Sequence, residues 1–373
     1  MKLCLVVPGG VDASGEYRVV PALLALIRRL SRRHEVHVFA LLQEGLPGAW
    51  QVAGAQVHNI GAGNTRLRAL AAIRREHRLA AFDLIHSIWS GPSGLVAVAA
   101  ARLLGLRSLV HVAGGELVAL RDIRYGGVQR WRGRAREQLV LRAAAMVTAP
   151  SAPIVQQIER YGVRALRVAL GVDLELWPPR VPVRRGPQET ARLIHVASLN
   201  RVKDQTTLLQ ATAALAAMNV PFVLDIVGED TLGGEMQRLA GKLGIERQVS
   251  FHGFMPQHAL RPMFEAAHLL LMSSRHEAGP LAVLEAAVLG IPTVGTHVGH
   301  IAEWASVAAV SVPVGDWKAL AAATAELLAD EPRRLRLAGE AARRAIDEDA
   351  EDSAQSFETL YQLAIAGCCF SHA

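Results

Sequence analysis

The sequence predicts an α/β protein built from two doubly wound halves, and three observations carry this. Apolar runs of strand length recur along the chain and alternate with stretches of helical period. At 373 residues the chain is too long for one ordinary domain and suits two. A proline-rich, irregular stretch interrupts the alternation near the middle, after which it starts again.

In chain order, Leu3–Val7 is a strand, and Pro8-Gly9-Gly10 turns into a polar loop reaching Gly15. A helix is expected from about Tyr17 to Leu30, because Val20, Leu23, Leu24, Ile27 and Leu30 share one face. Glu35–Ala40 and Asp83–His86 are strands, followed by an alanine-rich helix from about Ser93 to Leu104. Ser108–Ala113 is the next strand, ending in Gly114-Gly115-Glu116; a basic helix over about Gln129–Arg142 and a strand over Ala144–Ala149 follow. The break lies between Gly162 and Pro187 and carries Trp177-Pro-Pro and Val181-Pro-Val, a linker composition. The second half reads as strands at Leu193–Ala197, Phe222–Val227, Val249–Phe251, His268–Met272, Pro292–Thr296 and Ala308–Val312, with helices between. Helices over Trp317–Ala329, Pro332–Ile346 and Asp352–Ala366 close the chain. The expected organisation is a first domain over 1–170, a hinge over 171–188, a second domain over 189–350, and a closing helix over 351–373 packing back toward the first. Two Rossmann-like halves joined by a hinge leave a cleft, the default ligand site.

Composition narrows the classes. Hydrophobic residues at 51 % and charged residues at 20 % exclude disorder. Cys4, Cys368 and Cys369 have no disulfide or metal spacing, so a reducing compartment is expected. The run Leu3–Val7 is too short for a signal peptide, and no stretch of about 18 uncharged apolar residues provides a membrane span. The expectation is a cytoplasmic protein, soluble or lying on the inner face of a membrane. Residues 1–180 hold 24 Lys and Arg against 12 Asp and Glu, whereas residues 181–373 hold 16 against 22. The first half therefore suits an anionic partner, a phosphorylated acceptor or an acidic membrane surface; arginine spread over solvated helices is the alternative. Arg121, Arg124, Arg130, Arg132, Arg134 and Arg136 around Trp131 suit a lipid headgroup surface, or equally a solvated helix with one buried tryptophan. No aromatic-interleaved basic motif or helix-turn-helix pattern points to nucleic acid. His297 and His300 lack a third ligand, so no metal site is expected, and Gly228–Gly233 lacks the Lys-Ser/Thr of a P-loop. The ending Gly367–Ala373 carries no lipidation pattern.

The informative stretch is Ser273–Glu303. A buried strand drops into a loop with Arg275, His276 and Glu277, and Gly279-Pro280 opens a helix, with Pro at its first position. Leu281, Leu284 and Val288 form its buried stripe, and Glu285 sits at the stripe's edge. A carboxyl there is costly unless something polar meets it, and ligand hydroxyls would do so. This is the layout of a ligand site at the carboxyl end of a parallel sheet.

On these residues the second half resembles the retaining GT-B glycosyltransferases of the group 1 type, family four. The matching pieces are His195-Val-Ala-Ser-Leu-Asn-Arg-Val-Lys-Asp204, Leu224-Asp-Ile-Val-Gly228, Val249-Ser-Phe-His-Gly-Phe254, and Glu277 with Glu285. The resemblance is close over residues 190–305 and loose over 1–180. It implies a GT-B fold, a nucleotide-diphosphate sugar as donor bound mainly by the second half, and a hydroxyl acceptor bound by the first. It also implies retention of configuration, no cofactor and no metal, in the synthesis of a glycan, exopolysaccharide or glycolipid. A same-face displacement assisted by the departing phosphate is expected, since no side chain reads as an opposite-face nucleophile.

The resemblance distributes roles. Lys203, with Arg201, would meet the diphosphate, where cations and N–H donors stabilise the departing charge. The helix start over Gly279, Pro280, Leu281 and Ala282 would add a positive end through the backbone N–H groups of its residues other than Pro280. The family's usual arginine five residues before the lysine is here Ser198. Glu277 would bind the sugar's hydroxyls or stabilise charge at its anomeric carbon, Glu285 the ribose, and Gly253-Phe254 the base. In the first half, Gly9-Gly10 resembles the family's glycine loop near acceptor and diphosphate. The family's histidine position at the end of the fourth strand is here Ala113, leaving Glu116, and less so His111, as acceptor-side candidates. Gly171-Val-Asp173 resembles the family's hinge sequence. The rival readings are a nucleotide-sugar epimerase or phosphorylase on the same fold, and a non-catalytic or partner-dependent nucleotide-sugar-binding subunit. A pyridoxal phosphorylase would need a late Schiff-base lysine, and only Lys242 and Lys318 follow Lys203.

Overall fold

The computed structural model describes residues 1–367; Cys368, Cys369 and the rest of the ending lie outside them, as does the end of the closing segment expected over 351–373. The chain divides at Gly171-Val172 into two units. The first joins Met1–Gly171 to the segment from Glu348 onward, and the second is Val172–Asp347.

The first unit runs β1 (Lys2–Val7), α1 (Pro21–Ser31), β2 (Glu35–Ala40), β3 (Gly48–Val52), β4 (Ala55–Asn59) and α2 (Thr65–Leu79). It continues through β5 (Leu84–Ile88), α3 (Leu95–Leu104), β6 (Arg107–His111), α4 (Trp131–Ala143), β7 (Met146–Ala149), α5 (Ala152–Glu159) and β8 (Leu166–Arg167). Its sheet has the order β3-β4-β2-β1-β5-β6-β7-β8. All neighbours are parallel except the β3–β4 hairpin. The period-2 geometry sends Leu3, Leu5 and Val7 to one core and Cys4 and Val6 to another, so both faces of β1 are covered.

The second unit runs β9 (Ala191–Val196), α6 (Gln205–Ala217), β10 (Phe222–Val227), α7 (Glu235–Lys242), β11 (Val249–Phe251), α8 (Gln257–Glu265), β12 (Leu269–Met272) and α9 (Leu281–Val288). Then come β13 (Thr293–Thr296), α10 (Gly299–Glu303), β14 (Ala309–Val312), α11 (Trp317–Ala329) and α12 (Glu331–Asp347). Its six strands are all parallel in the order β11-β10-β9-β12-β13-β14. Leu269 and Leu271 feed one core and Leu270 and Met272 the other. The last helix, α13 (Ala350–Ile365), belongs to the first unit, where Phe357, Tyr361 and Ala364 complete the core over α1.

Several sequence expectations are corrected. The first helix starts at Pro21, not Tyr17, because Val19 bridges back to Val11 and Pro21 suits the first turn. The stretch expected as a hinge over 171–188 is anchored to the second unit at several points, although many of its side chains are exposed. Trp177 is 1 % exposed and meets Phe264 edge to face at 5.5 Å, and Arg334 Nη2 donates to the Val183 carbonyl at 2.6 Å. Prolines make its backbone irregular without freeing it. β3, β4, α2, α5 and β8 have no counterpart among the expected elements.

Candidate functional site

Both sheets change winding direction beside their first strand. In the second unit, β9 is followed by β10 and β11 on one side, and the chain then crosses to β12 on the other. The loops leaving β9 and β12 therefore flank the switch point, where ligands of open α/β sheets bind. Lys203 comes from the first loop and Glu277 from the second, and Lys203 Nζ lies 2.6 Å from Glu277 Oε1. Glu277 is 9 % exposed and takes a second hydrogen bond at the same oxygen from Ser274 Oγ, 2.6 Å away.

Hydrogen bonds hold both loops. Asn200 Oδ1 accepts the N–H groups of Val202 and Lys203, and Asp204 caps α6 through Thr207. Gln205 Nε2 donates to the Ser198 carbonyl and to His195 Nε2, while His195 Nδ1 donates to the Leu271 carbonyl at 2.8 Å. Burial holds His195 near pKa 4, so this imidazole is a neutral bridge between β9 and β12. The two loops are joined directly, since Ser273 Oγ donates to the Lys203 carbonyl and the Arg275 N–H to that of Val202.

Pro280 is the N-cap of α9, one residue before the first helical position expected for it. Its φ of −68° fits either place, but its ψ of 114° is extended. Leu281 and Ala282 follow, in the first turn, where helix N–H groups lack intrahelical partners. Gly299 backs this loop: a Cβ there would lie 3.0 Å from Pro280 Cδ and 3.1 Å from the Glu277 carbonyl oxygen. Gly299 and Ser274 escape a reading of the sequence because small residues at loop ends carry no periodic signal. Glu285 is 4 % exposed. Burial raises its pKa to about 8, partly opposed by the hydrogen bond Gln257 Nε2 donates at 3.2 Å. It is therefore a neutral carboxylic acid at pH 7, able both to donate and to accept.

Other candidates sit elsewhere. Arg201 makes a two-pronged ion pair with Glu235, at 2.8 and 2.6 Å, on the surface, because α7 presents that carboxylate beside the loop. Ser198 is exposed. Gly253 has φ +68°, its carbonyl accepts from Gly228 N–H, and Phe254 is 50 % exposed, not core.

In the first unit, the Gly10 and Val11 N–H groups both donate to Gln43 Oε1, at 2.7 and 3.0 Å, and Gly9 lies against the same side chain. Glu116 Oε1 accepts the N–H groups of Ser90 and Ala113 at 3.1 and 3.2 Å, and burial lifts its pKa to about 7. His111 is corrected as an acceptor-side residue: strand alternation turns it inward, beneath α13. There it bonds Thr148 at 2.9 Å, stacks edge-on against Phe357, and is held near pKa 3 by burial. Trp131, one alternative for which was a buried position, is 69 % exposed, with the Arg132 guanidinium 5.4 Å from its ring centre. Among the described residues no helix is long and apolar enough to cross a membrane.

A cation facing a carboxylate at a switch point, beside a helix start and a second, buried acid, gives this α/β unit the groups that a phosphate-bearing, hydroxyl-rich ligand would need. Residues 19–171 match the family described as the glycosyl transferase 4-like domain, and residues 183–344 match glycosyl transferases group 1. The chain is 30 % identical over 321 residues to a D-inositol 3-phosphate glycosyltransferase from Corynebacterium urealyticum, covering 79 % of this chain and 74 % of that one. Sucrose-phosphate synthase from Thermosynechococcus elongatus has a similar fold: TM-score 0.82, 20 % identity, 98 % of this chain and 100 % of that one. So has Anabaena HepE, solved with UDP-glucose: TM-score 0.74, 20 % identity, 97 % and 100 %. The chain belongs to the group 1 glycosyltransferases of the GT-B fold, and it is a glycosyltransferase acting on nucleotide sugars.

Proposed function

We propose that this glycosyltransferase moves a hexose from a UDP-sugar to a hydroxyl of a phosphorylated acceptor, with retained configuration and without a metal ion. The observation that carries the reading is the Lys203–Glu277 pair, held at 2.6 Å between the two loops of the switch point. Lys203 takes the place a metal would otherwise fill, opposite the diphosphate, and the first turn of α9 adds N–H donors. Glu277 anchors Lys203 through Oε1. On donor binding it faces the sugar, taking its hydroxyls or stabilising positive charge at the anomeric carbon. Glu285, as a neutral acid, exchanges hydrogen bonds with the ribose hydroxyls, and Gly253-Phe254 border the base. Arg201, already paired with Glu235, takes a secondary part.

In the step itself, the bond from the anomeric carbon to the diphosphate oxygen breaks, and a bond to the acceptor oxygen forms on the same face. The acceptor's proton passes to the departing phosphate. Uracil is chosen as the base because HepE was solved with UDP-glucose. A phosphorylated acceptor fits the basic first half and the inositol 3-phosphate named for the Corynebacterium relative. A lipid-linked acceptor at the inner face of the membrane is the second reading, favoured by the exposed Trp131 among arginines.

The test is a panel of UDP-, GDP- and ADP-sugars with phosphorylated and lipid-linked acceptors, product anomers being assigned by NMR. UDP-hexose is expected to stabilise the protein and turn over, and Lys203→Ala to lower kcat by about 10²–10³. Stabilisation without turnover on any acceptor would favour the binding-subunit reading. Full activity in Glu277→Ala would remove the site assignment.

A further inference from the structure

We propose that the outer edge of the first unit carries a binding site for a divalent transition-metal ion, of the zinc class, ligated by His37, His58 and Glu76. These residues come from β2, β4 and α2 respectively, and one ligand atom from each lies within 4.8 Å of the others. The site is separate from the Lys203–Glu277 pair, which belongs to the other unit.

The two imidazoles meet nitrogen to nitrogen, His37 Nδ1 lying 2.9 Å from His58 Nε2. Glu35 Oε1 sits 3.0 Å behind, at His37 Nε2. A carboxylate oxygen only accepts, so Nε2 carries the His37 proton and Nδ1 turns a lone pair toward His58. This is the carboxylate–histidine arrangement that orients zinc ligands and fixes their tautomer. Zn–N bonds of about 2.0–2.1 Å at a tetrahedral angle place two nitrogens about 3.3–3.4 Å apart. Opening the His37–His58 contact by roughly half an ångström therefore admits the ion, with the His58 proton moving to Nδ1. Glu76, on the last turn of α2 and one helical step from the buried Ile73, supplies the third ligand by side-chain rotation.

Two histidines and one carboxylate with an open fourth position suit zinc, and cobalt as its spectroscopic substitute. The site also meets a need of the fold. α2 has 15 residues but buries only Ala69 and Ile73, so few apolar contacts dock it. An ion shared by β2, β4 and α2 would clamp that helix to the outer strands.

The test uses untagged, full-length protein stripped with chelator, titrated with zinc alone by calorimetry and with cobalt by visible absorption. One equivalent is expected per chain, with tetrahedral cobalt bands and slower amide exchange across α2. His58→Gln is expected to abolish binding and Glu76→Gln to weaken it by roughly 10- to 100-fold, while Arg66→Gln, in the exposed first turn of α2, leaves it unchanged. Glu76 lies on the last turn of α2, outside the sheet, so Glu76→Gln keeps the test meaningful if His58→Gln fails to fold. Less than half an equivalent bound, or affinity unchanged in both ligand variants, would overturn the proposal and leave a hydrogen-bonded histidine pair.

Discussion

At the scale of single residues, buried acids and buried histidines give the protein two opposed pH dependences. Glu285 is raised to about 8 and Glu116 to about 7, from an ordinary 4.5. The folded chain keeps these protons where the unfolded chain releases them, so stability falls as pH rises from about 4.5 toward those values. His195 and His111 are lowered to about 4 and 3 from 6.5. There the unfolded chain binds protons that the folded one refuses, so stability falls as pH drops below about 6.5. His86, bonded to Tyr361 and also lowered by burial, adds to that limb. Three histidines outweigh two acids below about pH 6.5 and none of them titrates above it, so the stability maximum is expected near pH 6.5. Glu285→Gln keeps an acceptor for Gln257 and removes one titration. Urea midpoints, read from the fluorescence of the buried Trp177 and Trp304, should then fall less between pH 6.5 and 8 than in the parent. Superimposable slopes would show that Glu285 is ionised at neutral pH. The position of Glu285 was legible in the sequence because helical spacing puts it at the edge of an apolar stripe. His111 was not, because a strand residue's usefulness depends on which face the next element covers, and α13 arrives from far along the chain.

At the scale of elements, the loops at the carboxyl edge of the second sheet depend on close backbone approaches. Gly228, just after β10, has φ +153°, and a Cβ there would lie 2.0 Å from the Ala197 carbonyl oxygen. Gly233, five residues on with φ +60°, has nothing within 4 Å of an added Cβ. Gly228→Ala must push apart the β9 and β10 ends that precede Lys203, and should cost about 2–4 kcal/mol with loss of donor-dependent stabilisation. Gly233→Ala meets only the left-handed penalty, about 1–2 kcal/mol, and should leave donor binding intact. Thermal unfolding with and without UDP-sugar distinguishes the two, and equal effects would remove the packing argument. The inner strands were readable because burial on both faces makes them continuous apolar runs, as in Leu269–Met272. The outer elements were not. β3 is half-exposed and pairs only with β4, β8 has two residues, and α2 carries five arginines around two buried side chains.

At the scale of the whole molecule, charge is what distinguishes the two halves of the sequence. Residues 1–180 carry 24 basic against 12 acidic side chains, and residues 181–373 carry 16 against 22. The asymmetry was plain from the sequence. The return of α13 to the first unit rests on the apolar face of Phe357 and Tyr361 and on Arg33 pairing with Glu351 and Glu358, contacts that no local pattern announces. An excess of arginine spread over a surface acts at long range, and its field is screened over about 10 Å at 0.1 M salt. The contact proposed between Lys203 and the diphosphate acts at hydrogen-bond distance in a partly buried loop, where screening is weaker. Salt should therefore separate the substrates. Raising ionic strength from low to physiological and beyond is expected to lower kcat/KM for a phosphorylated acceptor by about tenfold or more, with a much smaller change in the KM for donor. An uncharged acceptor analogue should lose that sensitivity. If charged and uncharged acceptors respond alike, the basic half does not steer the acceptor, and its arginines are solvated surface on helices such as α2 and α4.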